Sequence, residues 1–219
     1  GGGAGFCPPP RHSGLWRYLT IRSFGPTPAQ TSAILEVSGD DDRLASEEIA
    51  TATDVLYRHC SSVYLQLNNG GASGVGSAEG LRPLGEPAPL HVTLLDTKFR
   101  VSPLSFFQTY LSAAEALYDS IRQRVASLGD DVIVLDLCCG TGTIGLLCAS
   151  LPNVKHVYGI EIVEAAVEDA RHNMALNGLQ DKATFIVGPV ETALKELLRS
   201  GIGRGPGKVV GILDPPRAG

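Results

Sequence analysis

Residues 134–145 read VLDLCCGTGTIG. Strand Val132–Leu137 runs into a turn that holds Gly140, Gly142 and Gly145 in a G-x-G-x-x-G spacing, and a helix follows to about Ser150. Glycines so placed allow a tight turn and let a ligand touch the backbone at the helix N-terminus. Downstream, the pattern repeats. Strand His156–Ile160 precedes helix Val163–Ala175, which Asn177-Gly178 closes. Strand Thr184–Val187, helix Glu191–Ser200 and strand Val209–Leu213 follow. Upstream, Ser112 and Glu115 form an S-x-x-E capping box before helix Ala113–Ser127, whose Leu117, Ile121 and Val125 recur every four residues. Alternating strands and helices of these lengths imply an α/β fold: a doubly wound parallel sheet with helices on both faces, spanning residues 102–219.

Before Ser102 the pattern is different. Residues 1–13 are rich in Gly and Pro and are expected to be irregular. Strands Leu15–Ile21 and Ser32–Val37, a helix over 45–59, strand Val63–Leu67 and a hairpin from His91–Asp96 and Phe99–Val101 predict a small α/β domain over 14–101. Residues 68–89 are of low complexity and are expected to form a mobile loop. Asp40-Asp41-Asp42 reads as an acidic turn, since an exposed loop explains the run without a metal. Met174 is the only methionine, so the chain is read as a fragment. Its sheet is expected to be cut after the fourth strand, at Gly219.

Composition narrows the classes. The chain has 219 residues, 43% hydrophobic and 19% charged, which fits a folded globular protein. The formal charge is −5, and acidic residues outnumber basic ones in both halves, so net charge gives no support to phosphate gripping. No run of about 18 apolar residues exists to span a membrane. The five cysteines, Cys7, Cys60, Cys138, Cys139 and Cys148, contain no C-x-x-C pair. Neither a disulfide framework nor a metal site is expected, and a reducing compartment suits these cysteines; the setting expected is intracellular, cytosol or nucleus ahead of an organelle.

The chemistry gathers at the expected carboxyl ends of the strands. Glu161 closes a strand 19 residues beyond Gly142, where a carboxylate can accept hydrogen bonds from ribose hydroxyls. Two ligands compete for such a site. A dinucleotide would set its pyrophosphate on the helix N-terminus. S-adenosylmethionine has no phosphate but carries an ammonium and a sulfonium. Asp136, just before the turn, favours the cationic ligand and repels a pyrophosphate; it can equally orient the loop through backbone bonds. Leu213-Asp214-Pro215-Pro216-Arg217 follows the last strand. Its two prolines stiffen the turn and hold Asp214 at the strand's carboxyl end.

Taken together, FRVSPLSFFQTYLSAAEALY (99–118), VLDLCCGTGTIGL (134–146), VYGIEIVEAAVEDARHNMALNG (157–178) and ILDPPRAG (212–219) resemble the RNA 5-methyluridine methyltransferases. LWRYLTIRS (15–23) resembles the opening of that family's central domain. The resemblance spans about residues 14–219. It implies a Rossmann-like methyltransferase fold and S-adenosyl-L-methionine as cofactor. It places Gln108, Glu161 and Asp214 on cofactor-binding positions, beside Asp136, Gly140 and Gly142 from the turn. Cys138 stands where relatives often carry an aromatic residue, and Thr143 where some bacterial relatives carry Asn. The substrate it implies is tRNA, at T-loop uridine 54, with no membrane partner. In the family, a cysteine thiolate adds to uracil C6, C5 takes the methyl from the sulfonium, and a glutamate removes the C5 proton as the cysteine leaves C6. Those two residues follow the D-P-P-R segment, which places both beyond Gly219. No catalytic residue is therefore expected in this chain, and the RNA-binding module is expected outside it.

Other functions use part of the same pattern. An NAD-dependent oxidoreductase explains the glycine turn but not Asp136. An exocyclic-amine methyltransferase would prefer an aromatic after Asp-Pro-Pro, where this chain has Arg217. A scaffold that binds cofactor without catalysis fits every residue present.

Overall fold

A computed structural model describes residues 14–25, 27–39, 46–69 and 80–215. Their contacts define two units. One runs up to His91 and includes Ser102–Leu104; the other holds Val92–Val101 and the residues from Ser105 onward.

The first unit contains strands β1 (Trp16–Ser23), β2 (Thr31–Val37), β3 (Ser62–Leu67) and β4 (Leu81–Pro83) in spatial order β1-β2-β3-β4. β2 and β3 are parallel, joined through helix α1 (Glu47–Tyr57), and both outer pairings are antiparallel. Leu15, Leu35, Val37, Ile49 and Leu65 form its core, with Ala52 and Leu56 packed against them. The register slips at Arg17, between the Trp16–Val37 and Tyr18–Glu36 pairs. Beyond that bulge, Leu19 and Ile21 stay half exposed, because β1 is an edge strand covered only near its start. Within residues 68–89, expected as loop throughout, Leu81–Pro83 is a short strand on β3. Its proline is tolerated because the strand has a neighbour on one side only.

The hairpin strands β5 (Leu90–Leu94) and β6 (Thr97–Val101) meet at Leu95 and Asp96, both at positive φ, which makes a tight two-residue turn. The sequence reading assigned this hairpin to the first domain. From Val92 onward it packs with the second unit, because side chains of the later helix α4 bond its backbone at Lys98 and Arg100.

The rest of the second unit is strand and helix in turn: α2 (Leu111–Ala126), β7 (Val132–Leu137), α3 (Thr143–Ala149), β8 (Val154–Glu161), α4 (Glu164–Leu176), β9 (Ala183–Val187), α5 (Val190–Arg199) and β10 (Val209–Leu213). The sheet order is β10-β7-β8-β9, and every pairing is parallel. β7 is a nearly continuous apolar run, as a strand covered on both faces must be, whereas β8 carries Lys155 and His156 near its start and is apolar from Val157 to Ile160. This is the Rossmann-like arrangement, and strand order reverses between β7 and β10.

Two local expectations fail in α2. Tyr110 is its N-cap and accepts the Ala114 amide at 3.1 Å, so Ser112 lies inside the first turn and caps nothing. The buried face is Ala114, Tyr118 and Val125, whereas Leu117 is 52% exposed. The other end signal holds. After α4, the Leu179 amide bonds the Met174 carbonyl at 3.0 Å and the Gly178 amide bonds Ala175 at 3.1 Å, with Gly178 at φ 66. That double closure is the Schellman motif that a glycine permits.

Candidate functional site

The parallel register lines up the strand ends. Leu213, Leu137 and Ile160 lie in one row across β10, β7 and β8, and Ile212, Asp136 and Gly159 in the row below. Asp214 and Glu161 are therefore each one residue past the common row, on either side of the turn that follows β7. Ligands bind outside the carboxyl ends at such a reversal point. Cys138, Gly140 and Gly142 of this turn all have positive φ, at 63, 53 and 77. The turn closes through the Gly142 amide on the Cys139 carbonyl at 2.9 Å, and the Cys139 amide ties it to Ile160 of β8 at 3.0 Å.

Its glycines do different jobs. At Gly142, an added Cβ would lie 2.8 Å from Phe185 Cζ and 3.0 Å from Ala170 Cβ. At Gly145 it would lie 2.8 Å from Asp136 Oδ2. These two residues let the turn press against the sheet. At Gly140 a Cβ would meet nothing within 4 Å. There the backbone faces open space.

Asp136 is 1% exposed and accepts the Gly145 amide at 2.8 Å. Burial pushes its carboxyl up to about 7; the Gly145 bond pulls it down, while Asp214 and Glu161 push it further up. Asp214 and Glu161 thus both oppose the charge of Asp136, a field that a cation would relieve. Glu161 is already engaged. Its Oε2 accepts the Gly140 amide at 3.0 Å, and its Oε1 accepts Ile162 and Val163 at 2.8 and 3.0 Å. A carboxylate offers about four acceptor positions, so about one remains for a ligand hydroxyl.

Gln108 is half buried, and its side chain bonds the Tyr118 hydroxyl. Burial, and then the charge of Asp214, raise the Tyr118 pKa against that bond. Tyr118 therefore joins Gln108 to the carboxylates. Sequence reasoning missed it, although a tyrosine on a buried helix face needs a partner for its hydroxyl. It also missed Asn173, which is fully buried and donates to the Thr141 carbonyl at 3.4 Å. Of the D-P-P-R turn, Pro216 and Arg217 lie outside the described residues, as does the Asp40–Asp42 run. Gly219, beyond which the sequence reading set the nucleophile and the base, lies outside them too.

The described cysteines are poor nucleophiles. Burial raises the thiol of Cys60 and pushes that of Cys148 up to about 12. Cys139 is raised further, by burial and then by Asp136 and Glu161, and Cys138 by burial and then by Glu161. All four thiols stay protonated at neutral pH. Among the described residues, no group of three His, Cys, Asp or Glu side chains could hold a metal ion, and no helix is long and apolar enough to cross a membrane. In the first unit, a groove of about 910 Å³ between β1 and α1 is lined by Trp16, Tyr18, Leu35, Val55 and Leu56. Arg17, Glu47, Glu48 and Thr51 are the polar members of a mostly apolar lining, whereas the strand ends of the second unit bring a glycine turn and three carboxyl groups together and are the stronger site.

The methyltransferase-domain family matches residues 128–201. The tRNA (uracil-5-)-methyltransferase homolog A of Mus musculus is 39% identical over 226 residues, covering 96% of this chain and 34% of that protein. Homolog B of Homo sapiens is 32% identical over 217 residues, covering 94% of this chain and 41% of that protein. The chain thus spans about a third to two fifths of the length of these relatives. Among solved structures, the Pyrococcus abyssi tRNA (uracil-54, C5)-methyltransferase in complex with S-adenosyl-L-homocysteine superposes with a TM-score of 0.58 at 23% identity. That match covers 81% of this chain and 40% of the archaeal one, and it supports the fold. Similarity over 94–96% of this chain shows the family, and the solved structure agrees in fold: the chain belongs to the RNA 5-methyluridine methyltransferase family, and its second unit is a Rossmann-like methyltransferase domain.

Proposed function

We propose that this chain binds S-adenosyl-L-methionine at the carboxyl ends of β7, β8 and β10, as part of a protein that methylates uridine C5 in RNA, at T-loop uridine 54 of tRNA. One observation carries the reading. A glycine turn with open space at Gly140 lies among three carboxylates, Asp136, Glu161 and Asp214, at the reversal of strand order. Bound there, the cofactor supplies a methyl group made electrophilic by its sulfonium.

The chain's own residues bind and orient. Gly140 lets the ligand approach the backbone, and Glu161 takes a ribose hydroxyl without releasing its amides. Asp136 and Asp214 offset the positive charges of the methionine part, and Gln108 hydrogen-bonds its polar end. A pyrophosphate would meet repulsion from the same carboxylates, which weighs against a dinucleotide. The cysteine adduct at uracil C6 is part of this reading. None of Cys60, Cys138, Cys139 and Cys148 suits it; it is the resemblance to the family that assigns the nucleophile and the base to a segment after D-P-P-R, beyond Gly219.

The test is calorimetric. The chain should bind S-adenosylhomocysteine and not NAD. Alone, it should transfer no methyl from labelled S-adenosylmethionine to unmodified tRNA, whereas the full-length protein should. Failure to bind S-adenosylhomocysteine removes the cofactor assignment. Methyl transfer by the chain alone removes the assignment of catalysis to other segments. The affinity for S-adenosylmethionine should rise with pH through about 7, because a cation favours the ionised form of Asp136.

A further inference from the structure

Two asparagines fasten β6 to α4. Asn177 accepts the Lys98 amide at 2.9 Å and donates to the Lys98 carbonyl at 2.7 Å. Asn173 does the same at Arg100, at 2.8 and 3.3 Å. The match is geometric. Four helical residues rise about 6 Å, and two strand residues advance about 7 Å. Both side chains can therefore grip one face of the strand.

They differ in the second N–H. Asn177 directs it to the Asn173 carbonyl, one turn back, at 2.7 Å. Asn173 reaches the Thr141 carbonyl, between Gly140 and Gly142. Asn177 is half buried, whereas Asn173 is fully buried and has both amide hydrogens and its oxygen engaged. A buried carbonyl that loses such a donor has no water to replace it.

We propose that Asn173 is a positioning residue: by holding the Thr141 carbonyl it sets the glycine turn for its ligand and couples that turn to β6. The proposal rests on the reading of this turn as the S-adenosylmethionine site. Asn177 supplies a control within the molecule, because it makes the same clasp without touching the turn.

The test compares Asn173→Ala with Asn177→Ala in the full chain. Both should lower the melting temperature. Only Asn173→Ala should weaken S-adenosylhomocysteine binding, by about tenfold for one lost buried hydrogen bond. Only it should also speed amide exchange at Gly142 and Leu146. Equal effects of the two variants on affinity and on exchange, or no effect of Asn173→Ala on either, would overturn the proposal.

A second measurement needs no variant. In the wild-type chain, S-adenosylhomocysteine should slow exchange of the Arg100 amide more than that of the Lys98 amide, since coupling is reciprocal. Equal slowing argues against the coupling and decides the matter if Asn173→Ala does not fold. If the wild-type chain does not bind S-adenosylhomocysteine, the functional reading falls, and the exchange rates of the two variants still test whether Asn173 holds the turn.

Discussion

Each unit places a carboxylate inside a sheet, and the two are treated in opposite ways. Glu36 of β2 is fully buried and accepts the Asn68 side-chain amide at 2.7 Å. Around it the ends of β2 and β3 are stitched together: the Asn68 amide bonds the Val37 carbonyl, and Gly39 and Asn69 bond each other in both directions. These bonds tie the two strand ends to each other. Asp136 of β7 is as deeply buried, yet it leans on a backbone amide, that of Gly145, and the charges that press on it are Asp214 and Glu161. Both units use a strand–helix–strand crossover. Strand ends that pair with one another make a structural module, whereas opposed charge and open backbone are what the proposed binding site is built from.

The largest effect that would sharpen this contrast is expected at Glu161. Glu161→Ala removes the acceptor of three backbone amides together with the proposed ligand contact. Affinity for S-adenosylhomocysteine should fall about a hundredfold, since hydrogen bonds to a charged group contribute about 1.5–3 kcal/mol each. Glu36→Ala should unsettle the first unit and leave affinity within about twofold. A comparable loss of affinity in Glu36→Ala would break the division between the two units.

The glycines should separate next. Gly142→Ala places a Cβ against Phe185 at φ 77 and should cost about 1–3 kcal/mol of stability in urea titrations. Gly140→Ala bears only the left-handed strain, about 1–2 kcal/mol, but fills the open space. It should therefore lose more affinity than its stability cost explains.

The effect expected from Asp136 is of similar size, and its sign is fixed. The folded carboxyl binds its proton more tightly than the unfolded one, whose pKa is 3.8, and releases it only at about 7. Between those values the native state holds more protons, so this group makes the ligand-free chain less stable as pH rises. Urea midpoints should fall from pH 5 to pH 7.5, and Asp136→Asn should flatten that slope. The smallest effect is expected at Ser112. A working cap would cost about 1 kcal/mol on loss, but Ser112→Ala should stay within about 0.5 kcal/mol.

That last case shows where the sequence was legible. The alternation of strands and helices, the glycine turn and the Asn177-Gly178 stop were readable because each depends on neighbours along the chain. The Ser112 box misled because the helix starts earlier, with Tyr110 as its cap. Leu117 misled because four-residue spacing fits more than one face of a helix. The strand order that brings Asp214 beside Asp136 depends on long-range pairing, which no local pattern encodes. The same is true of the contact between Tyr118 and Gln108. Asn173 gave no local signal either: its partners lie 73 and 32 residues away.

Phe185 lies against two glycines that are far apart in sequence. A Cβ at Gly142 would press on its ring, and a Cβ at Gly159 would overlap that ring and come within 2.9 Å of Cys139 Sγ. The turn is thus moulded on an aromatic side chain from β9, and the three positions form one mutational unit. A side chain gained at 159 is a defect that a smaller residue at 185 can repair. At 142 the same repair relieves the ring but leaves the Ala170 contact and the left-handed backbone. Revertants of Gly159→Ala should therefore collect at Phe185 more often than those of Gly142→Ala, and in a lineage that lost this ring the two glycines would be free to drift apart.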